Sequence, residues 1–186
     1  MIVQGSFKEI FSIPNILSFV RLLLIPIFIF LYINATDERD YFIASSIILL
    51  SGLTDLFDGL IARTFNQITE IGKALDPIAD KLTQAAIAFC LTIKYKFIWI
   101  LITLFVIKEL YMGINGLILL RRGKKLDGAQ WFGKLSTFIF YVTMVFLVAF
   151  PNIQPNIAQL LMGITFIFLS LSFILYIPEY NRLYRN

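Results

Sequence analysis

The chain has 186 residues, of which 59% are hydrophobic, 16% aromatic and only 15% charged, with a net charge of +4 and a mean hydropathy of +0.82. A soluble domain of this size could not bury so much apolar side chain, so the sequence reads as an integral membrane protein. Histidine is absent and cysteine occurs once, at Cys90, which excludes a Ser-His-Asp triad, a Cys-His pair, a disulfide and a His- or Cys-based zinc site.

Residues 1–12 mix Ile2, Val3, Phe7, Ile10 and Phe11 with Lys8 and Glu9, a pattern that suits either an interfacial amphipathic helix or a partly ordered leader. No secretory signal is expected there. Ser12 is the expected cap, and Pro14 the expected first-turn residue, of the helix that follows. Apolar runs of about 20 residues mark spanning helices. They are expected near 14–33, 41–63, 75–93, 97–120, 133–150 and 157–177, with a tail over 178–186. The fold class is therefore all-α: one polytopic membrane domain over 1–186 with six transmembrane helices. Cys90 falls inside an apolar run and reads as a small core hydrophobe.

Six spans leave both ends of the chain on one side of the membrane. That side carries Lys8, Arg63, Lys73, Arg121, Arg122, Lys124, Lys125, Lys134, Arg182 and Arg185, against Arg39, Lys94 and Lys96 opposite. The positive-inside rule makes the first side cytoplasmic. The Arg121–Lys125 group reads as an anchor for anionic lipid, and Gly113 and Gly116 as helix-packing positions.

Four carboxylates stand among apolar residues on the same cytoplasmic side: Asp55, Asp58, Asp76 and Asp80. On helices, Asp55 and Asp58 share a face at a spacing of three, and Asp76 and Asp80 at a spacing of four. An unpaired carboxylate costs roughly 2.5–3.5 kcal/mol at mid-membrane and less near the surface. Four close together also repel one another unless a divalent cation lies between them. Oxygen-only ligands suit a hard ion, Mg²⁺ above all, with Mn²⁺ or Ca²⁺ as substitutes. One ion, or a pair about 3.5–4 Å apart, would clamp diphosphate oxygens and assist an in-line displacement. Gly59 and Ala62 let a ligand approach the helix backbone closely. Gly72 opens the next helical region, and Asp76-Pro77 reads as an early helical turn. Arg63 can pair with a phosphate oxygen or snorkel to the headgroups.

The pattern D-x2-D-G-x2-A-R-x8-G-x3-D-x3-D runs unbroken from Asp55 to Asp80. It resembles the signature of the CDP-alcohol phosphotransferases, and a wider resemblance runs from Ile13-Pro-Asn-Ile-Leu-Ser-Phe-Val-Arg21 to about Phe150. The resemblance implies a six-helix membrane enzyme, commonly a homodimer, that acts on CDP-diacylglycerol. It implies that Asp55, Asp58 and Asp76 bind Mg²⁺ or Mn²⁺, and that Asp80 both touches metal and serves as general base. Gly59, Ala62, Arg63 and Gly72 would belong to the nucleotide-diphosphate site. With no histidine in the chain, a carboxylate is also the natural base on chemical grounds.

The acceptor is harder to read. Family members that use glycerol-3-phosphate tend to carry more basic residues on the fourth and fifth spans than Lys108-Glu109 and Gly133-Lys134-Leu-Ser136 supply here. Leu-Leu-Arg121-Arg122-Gly123 followed by Phe132-Gly133-Lys134 looks like CMP-forming cardiolipin synthases, so phosphatidylglycerol is the expected acceptor. Glycerol-3-phosphate is the alternative, with Arg21, Lys108 and Lys134 as candidate acceptor-side residues. No nucleic-acid partner is expected. A small cation transporter is the rival class, disfavoured because the acids gather at one face and do not cross the bilayer.

Overall fold

The computed structural model describes residues 12–65, 69–123 and 130–185, without the side chains of residues 56, 59, 62, 63, 70, 71, 73, 74 and 77. The interfacial segment expected over 1–12 falls outside the described residues, Ser12 apart, as do Lys124 and Lys125 of the basic anchor. The described residues form six helices and no strand: α1 Ile13–Ile33, α2 Glu38–Thr64, α3 Glu70–Thr92, α4 Ile98–Arg121, α5 Trp131–Ala149 and α6 Pro155–Arg185. Four of them, α1, α4, α5 and α6, are long and apolar enough to cross a membrane. The other two, of 27 and 23 residues, carry the acidic motif. Large apolar side chains face outward all along the helices, with Leu23 66% and Phe30 67% exposed. That pattern suits lipid and would be untenable in water.

Helix boundaries follow capping groups that a search for apolar runs overlooks. Ser12 stands at the start of α1 in extended backbone and Pro14 occupies the first turn, yet the serine hydroxyl makes no cap bond. At α2 the cap is Asp37, whose carboxylate accepts from the Asp40 amide at 3.0 Å. Asp40 in turn accepts from the Asp37 amide at 3.4 Å and from the Thr36 amide at 2.9 Å. This reciprocal box starts the helix at Glu38, earlier than expected. Thr69 caps α3 with a single bond, its Oγ accepting from the Gly72 amide at 2.9 Å. The helix therefore begins at Glu70, so Gly72 lies inside it and Pro77 is well beyond the first turn.

The chain divides into two compact units, 1–91 with 148–152, and 92–147 with 153–186. In the first, α1 packs along α2, and Phe28, Ile48 and Ala86, one from each of α1, α2 and α3, line one small apolar pocket. Cys90 is fully buried there. The buried stripe of α1 is Asn15, Ser18 and Arg21 at one end and Phe28 and Tyr32 at the other. Its polar end positions the site. Hydroxyls elsewhere on α2 and α3 bond back to their own helices, as Thr54 does to the Ser51 carbonyl at 2.7 Å and Thr83 to that of Ala79 at 2.9 Å. Neither of these two hydroxyls is then left to face lipid unpaired.

In the second unit α4 is tied to α6. Tyr180 donates to the Met112 carbonyl at 3.2 Å and Tyr184 to Asn115 at 2.7 Å, around a core of Leu119, Tyr176 and Tyr180. These contacts carry α6 straight through Pro178 to Arg185, so residues expected as a tail are helical. Arg122 lies over the Tyr184 ring at 5.2 Å. Gly133 permits the close approach of Tyr176, whose hydroxyl would stand 2.0 Å from any Cβ there. Among the described residues nothing comes within 4 Å of a Cβ built at Gly113 or Gly116, so their expected packing role has no neighbour in this set.

Candidate active site

The polar end of α1 meets the acidic motif inside the first unit. Arg21, 1% exposed, directs Nη2 at two carboxylates of α2: Asp58 at 2.5 Å and Asp55 at 2.7 Å. Nη2 carries two hydrogens, one for each. Asp58 is 3% exposed, whereas the Asp55 side chain is 49% exposed, so one member of the pair is sealed and the other opens outward. A spacing of three puts both acids on one face of α2, and that face is turned to α1.

Ser18, one turn before Arg21, adds the third acid. Its hydroxyl hydrogen-bonds to Asp76 of α3, lies 3.5 Å from Asp58 and reaches the Pro14 carbonyl at 3.1 Å. A hydroxyl has one proton for these three acceptors, so it can serve only one at a time. Asp80, one turn beyond Asp76, is half-buried and accepts from the Gln84 amide at 3.4 Å. At the rim, Thr69 donates to Asn15 at 3.0 Å. A Cβ at Gly72 would lie 2.6 Å from that same Asn15 oxygen, so any side chain there would push Asn15 aside where α3 begins against α1.

Arg21, expected on the acceptor side, is thus joined to the acids. Sequence reasoning missed Ser18 and Gln84; Ser18 could have been found, because it falls one turn from Arg21 on the same helical face. Gly59, Ala62 and Arg63 lie on α2, and the surroundings of their side chains fall outside the described residues. The remaining two candidates belong to the second unit. Lys108 is 1% exposed and donates to Glu109 at 3.2 Å and to Thr137 at 3.3 Å. Lys134 is exposed in the first turn of α5.

The donor set fits a hard divalent cation. Every side chain at the centre offers oxygen, apart from Arg21. Three carboxylates against one guanidinium leave a net charge of about −2, which low dielectric makes costly. Among the described residues no three acidic side chains stand close enough to enclose an ion. Arg21 and Ser18 lie between them.

The sequence matches the CDP-alcohol phosphatidyltransferase family over residues 11–175. The chain belongs to this family. CDP-diacylglycerol--glycerol-3-phosphate 3-phosphatidyltransferase of Escherichia coli (strain K12) is 32% identical over 152 residues, spanning 80% of this chain and 82% of the relative. The enzyme of the same name from Shigella flexneri serotype 5b (strain 8401) is 33% identical over 147 residues, spanning 77% and 80%. The protein is accordingly a CDP-alcohol phosphatidyltransferase, a membrane enzyme that moves phosphate-containing groups, and the cation-transporter reading is set aside. CDP-alcohol phosphatidyltransferases generally depend on divalent metal. The expected preference for phosphatidylglycerol is not favoured: these relatives are named for glycerol-3-phosphate. The expectation rested on too few cations in α4 and α5 and on the segments Leu-Leu-Arg121-Arg122-Gly123 and Phe132-Gly133-Lys134, short matches that similarity over four-fifths of the chain outweighs.

Proposed function

We propose that this CDP-alcohol phosphatidyltransferase transfers the phosphatidyl group of CDP-diacylglycerol to glycerol-3-phosphate, forming phosphatidylglycerol phosphate and releasing CMP. The observation that carries the chemistry is the meeting of Asp55, Asp58 and Asp76 around Ser18 and Arg21. Similarity to the glycerol-3-phosphate enzymes over four-fifths of both chains supports the acceptor.

Asp55, Asp58, Asp76 and Asp80 would hold Mg²⁺ or Mn²⁺, which supplies charge neutralisation for the diphosphate and for the leaving CMP. Gly59, Ala62, Arg63 and Gly72 belong on this reading to the nucleotide side, Arg63 supplying a cation for the diphosphate. Asp80 takes the proton of the acceptor hydroxyl. The oxygen so activated attacks the phosphorus that bears diacylglycerol, and the bond from that phosphorus to the CMP oxygen breaks. Lys108 and Lys134 are proposed for the acceptor phosphate. The working form is a homodimer in the cell membrane, with both ends of the chain and the active site cytoplasmic, as the basic-residue count suggests.

The test offers CDP-diacylglycerol with glycerol-3-phosphate or with phosphatidylglycerol to purified enzyme in detergent with Mn²⁺. CMP release dependent on glycerol-3-phosphate is the expected result. Release dependent on phosphatidylglycerol alone, giving cardiolipin, overturns the acceptor; release with neither overturns the reaction.

A further inference from the structure

Arg21 is bound only in part. Nη2 serves Asp55 and Asp58, while Nε and Nη1 are buried without a hydrogen-bond partner among the described residues. Those unused donors are expensive in a low-dielectric interior, because a buried N–H that lacks an acceptor gives up the hydrogen bond it would make to water. A guanidinium that served only to lock the helices together would be expected to have more of its fork engaged. Its engaged nitrogen, moreover, sits between the two carboxylates of α2 that a divalent ion would need to draw together.

We propose that Arg21 is a positioning residue that acts as a tethered counter-cation: it holds Asp55 and Asp58 together while no divalent ion is bound, and yields them when one arrives. The inference rests on the metal-binding reading of the quartet. Three features of the cluster carry it. The two acids of α2 share one nitrogen, and their repulsion would otherwise open the pair. Asp55 is half-exposed, so one carboxylate can swing away from Nη2 without unpacking the core, whereas Asp58 stays sealed. The donors Arg21 leaves idle are available for new acceptors once Nη2 is released. Divalent binding then exchanges one positive partner for another and exposes no bare pair of carboxylates to lipid.

The experiment compares thermal unfolding of full-length wild type, Arg21→Met and Arg21→Lys in detergent, followed by fluorescence of Trp99 and Trp131, in EDTA and in saturating Mn²⁺. Wild type should rise in Tm with Mn²⁺. Arg21→Met should show a Tm deficit in EDTA that shrinks at least about twofold in Mn²⁺, because the ion replaces the missing charge. Arg21→Lys, which keeps the charge, should recover most of the loss in EDTA. By linkage the same coupling appears as tighter Mn²⁺ binding to Arg21→Met, about fivefold or more. An equal deficit in both buffers, with a normal Mn²⁺ response of wild type, overturns the inference and leaves the proposed function standing. A wild type indifferent to Mn²⁺ overturns both. If Arg21→Met gives folded protein only in Mn²⁺, the inference is upheld. If it folds in neither buffer, the Arg21→Met/Asp58→Asn double variant decides: folding in EDTA upholds the balancing role, and failure overturns it.

Discussion

Asp55 and Asp58 share a partner but not an environment, and the difference separates what each contributes to stability from what each contributes to catalysis. Replacing Asp58 by Asn removes a charge that is 3% exposed and bonded to a guanidinium that is 2% exposed. Deleting one member of a buried pair typically costs about 3–5 kcal/mol. Asn can still accept a hydrogen bond, Asp55 remains on the same nitrogen, and loss of one of three neighbouring carboxylates relieves their repulsion, so the loss should fall to the low end of a charged hydrogen bond, about 1.5 kcal/mol. Asp55→Asn removes a charge that is 49% exposed, where solvent screening limits a pair to about 0–1 kcal/mol. Turnover should not follow this ranking. If both carboxylates hold the catalytic ion, each substitution should reduce CMP release by about 100-fold or more, as loss of direct metal ligation exceeds the 10–100-fold of indirect effects. Thermal unfolding in EDTA measures the first quantity and CMP release in Mn²⁺ the second. Equal stability losses would refute the assignment of burial, and wild-type turnover in either variant would refute the shared metal role.

Asp80→Asn should abolish turnover while CDP still binds, measured by calorimetry with Mn²⁺; retained turnover would remove Asp80 as base. Gly72→Ala should drive Asn15 off Thr69 and lower Tm, and Asn15→Ala in the same chain should restore part of the loss, because the two changes share one contact. For pH, hydrogen bonds from the backbone and side chain of Thr36 hold the Asp40 carboxyl below its ordinary 3.8. A depressed folded pKa gives stability that is present above the unfolded value and lost as pH falls through the folded one. The Tm gap between wild type and Asp40→Ala should therefore hold at neutral pH and close in acid below 3.8; a gap that widens there would contradict the sign.

The acidic motif is legible in the sequence because four carboxylates at helical spacing in so hydrophobic a chain are costly unless something binds them. Asp55 and Asp58 do fall on one face of α2, and that face does meet another helix. The role of Arg21 is not legible: it is separated from Asp58 by 37 positions, and only folding shows that it reaches α2. Helix starts escape for a physical reason. The caps Asp37 and Thr69 are polar and precede the apolar runs by which spans are recognised. The end of α6 escapes because the apolar run stops at residue 177, while the hydrogen bonds of Tyr180 and Tyr184 to α4 lie on a helix that continues to Arg185. Acceptor choice is the least legible feature. The unbroken pattern from Asp55 to Asp80 marks the family and leaves the acceptor open.

Divalent-ion binding by the quartet is the property on which the catalytic roles of Asp55, Asp58, Asp76 and Asp80 all depend. Mn²⁺ titration of the purified enzyme, followed by electron paramagnetic resonance, measures that without recourse to turnover. Saturable binding by wild type, weakened at least about tenfold in Asp58→Asn and in Asp76→Asn, is the predicted result. Binding of unchanged affinity in both variants would contradict it.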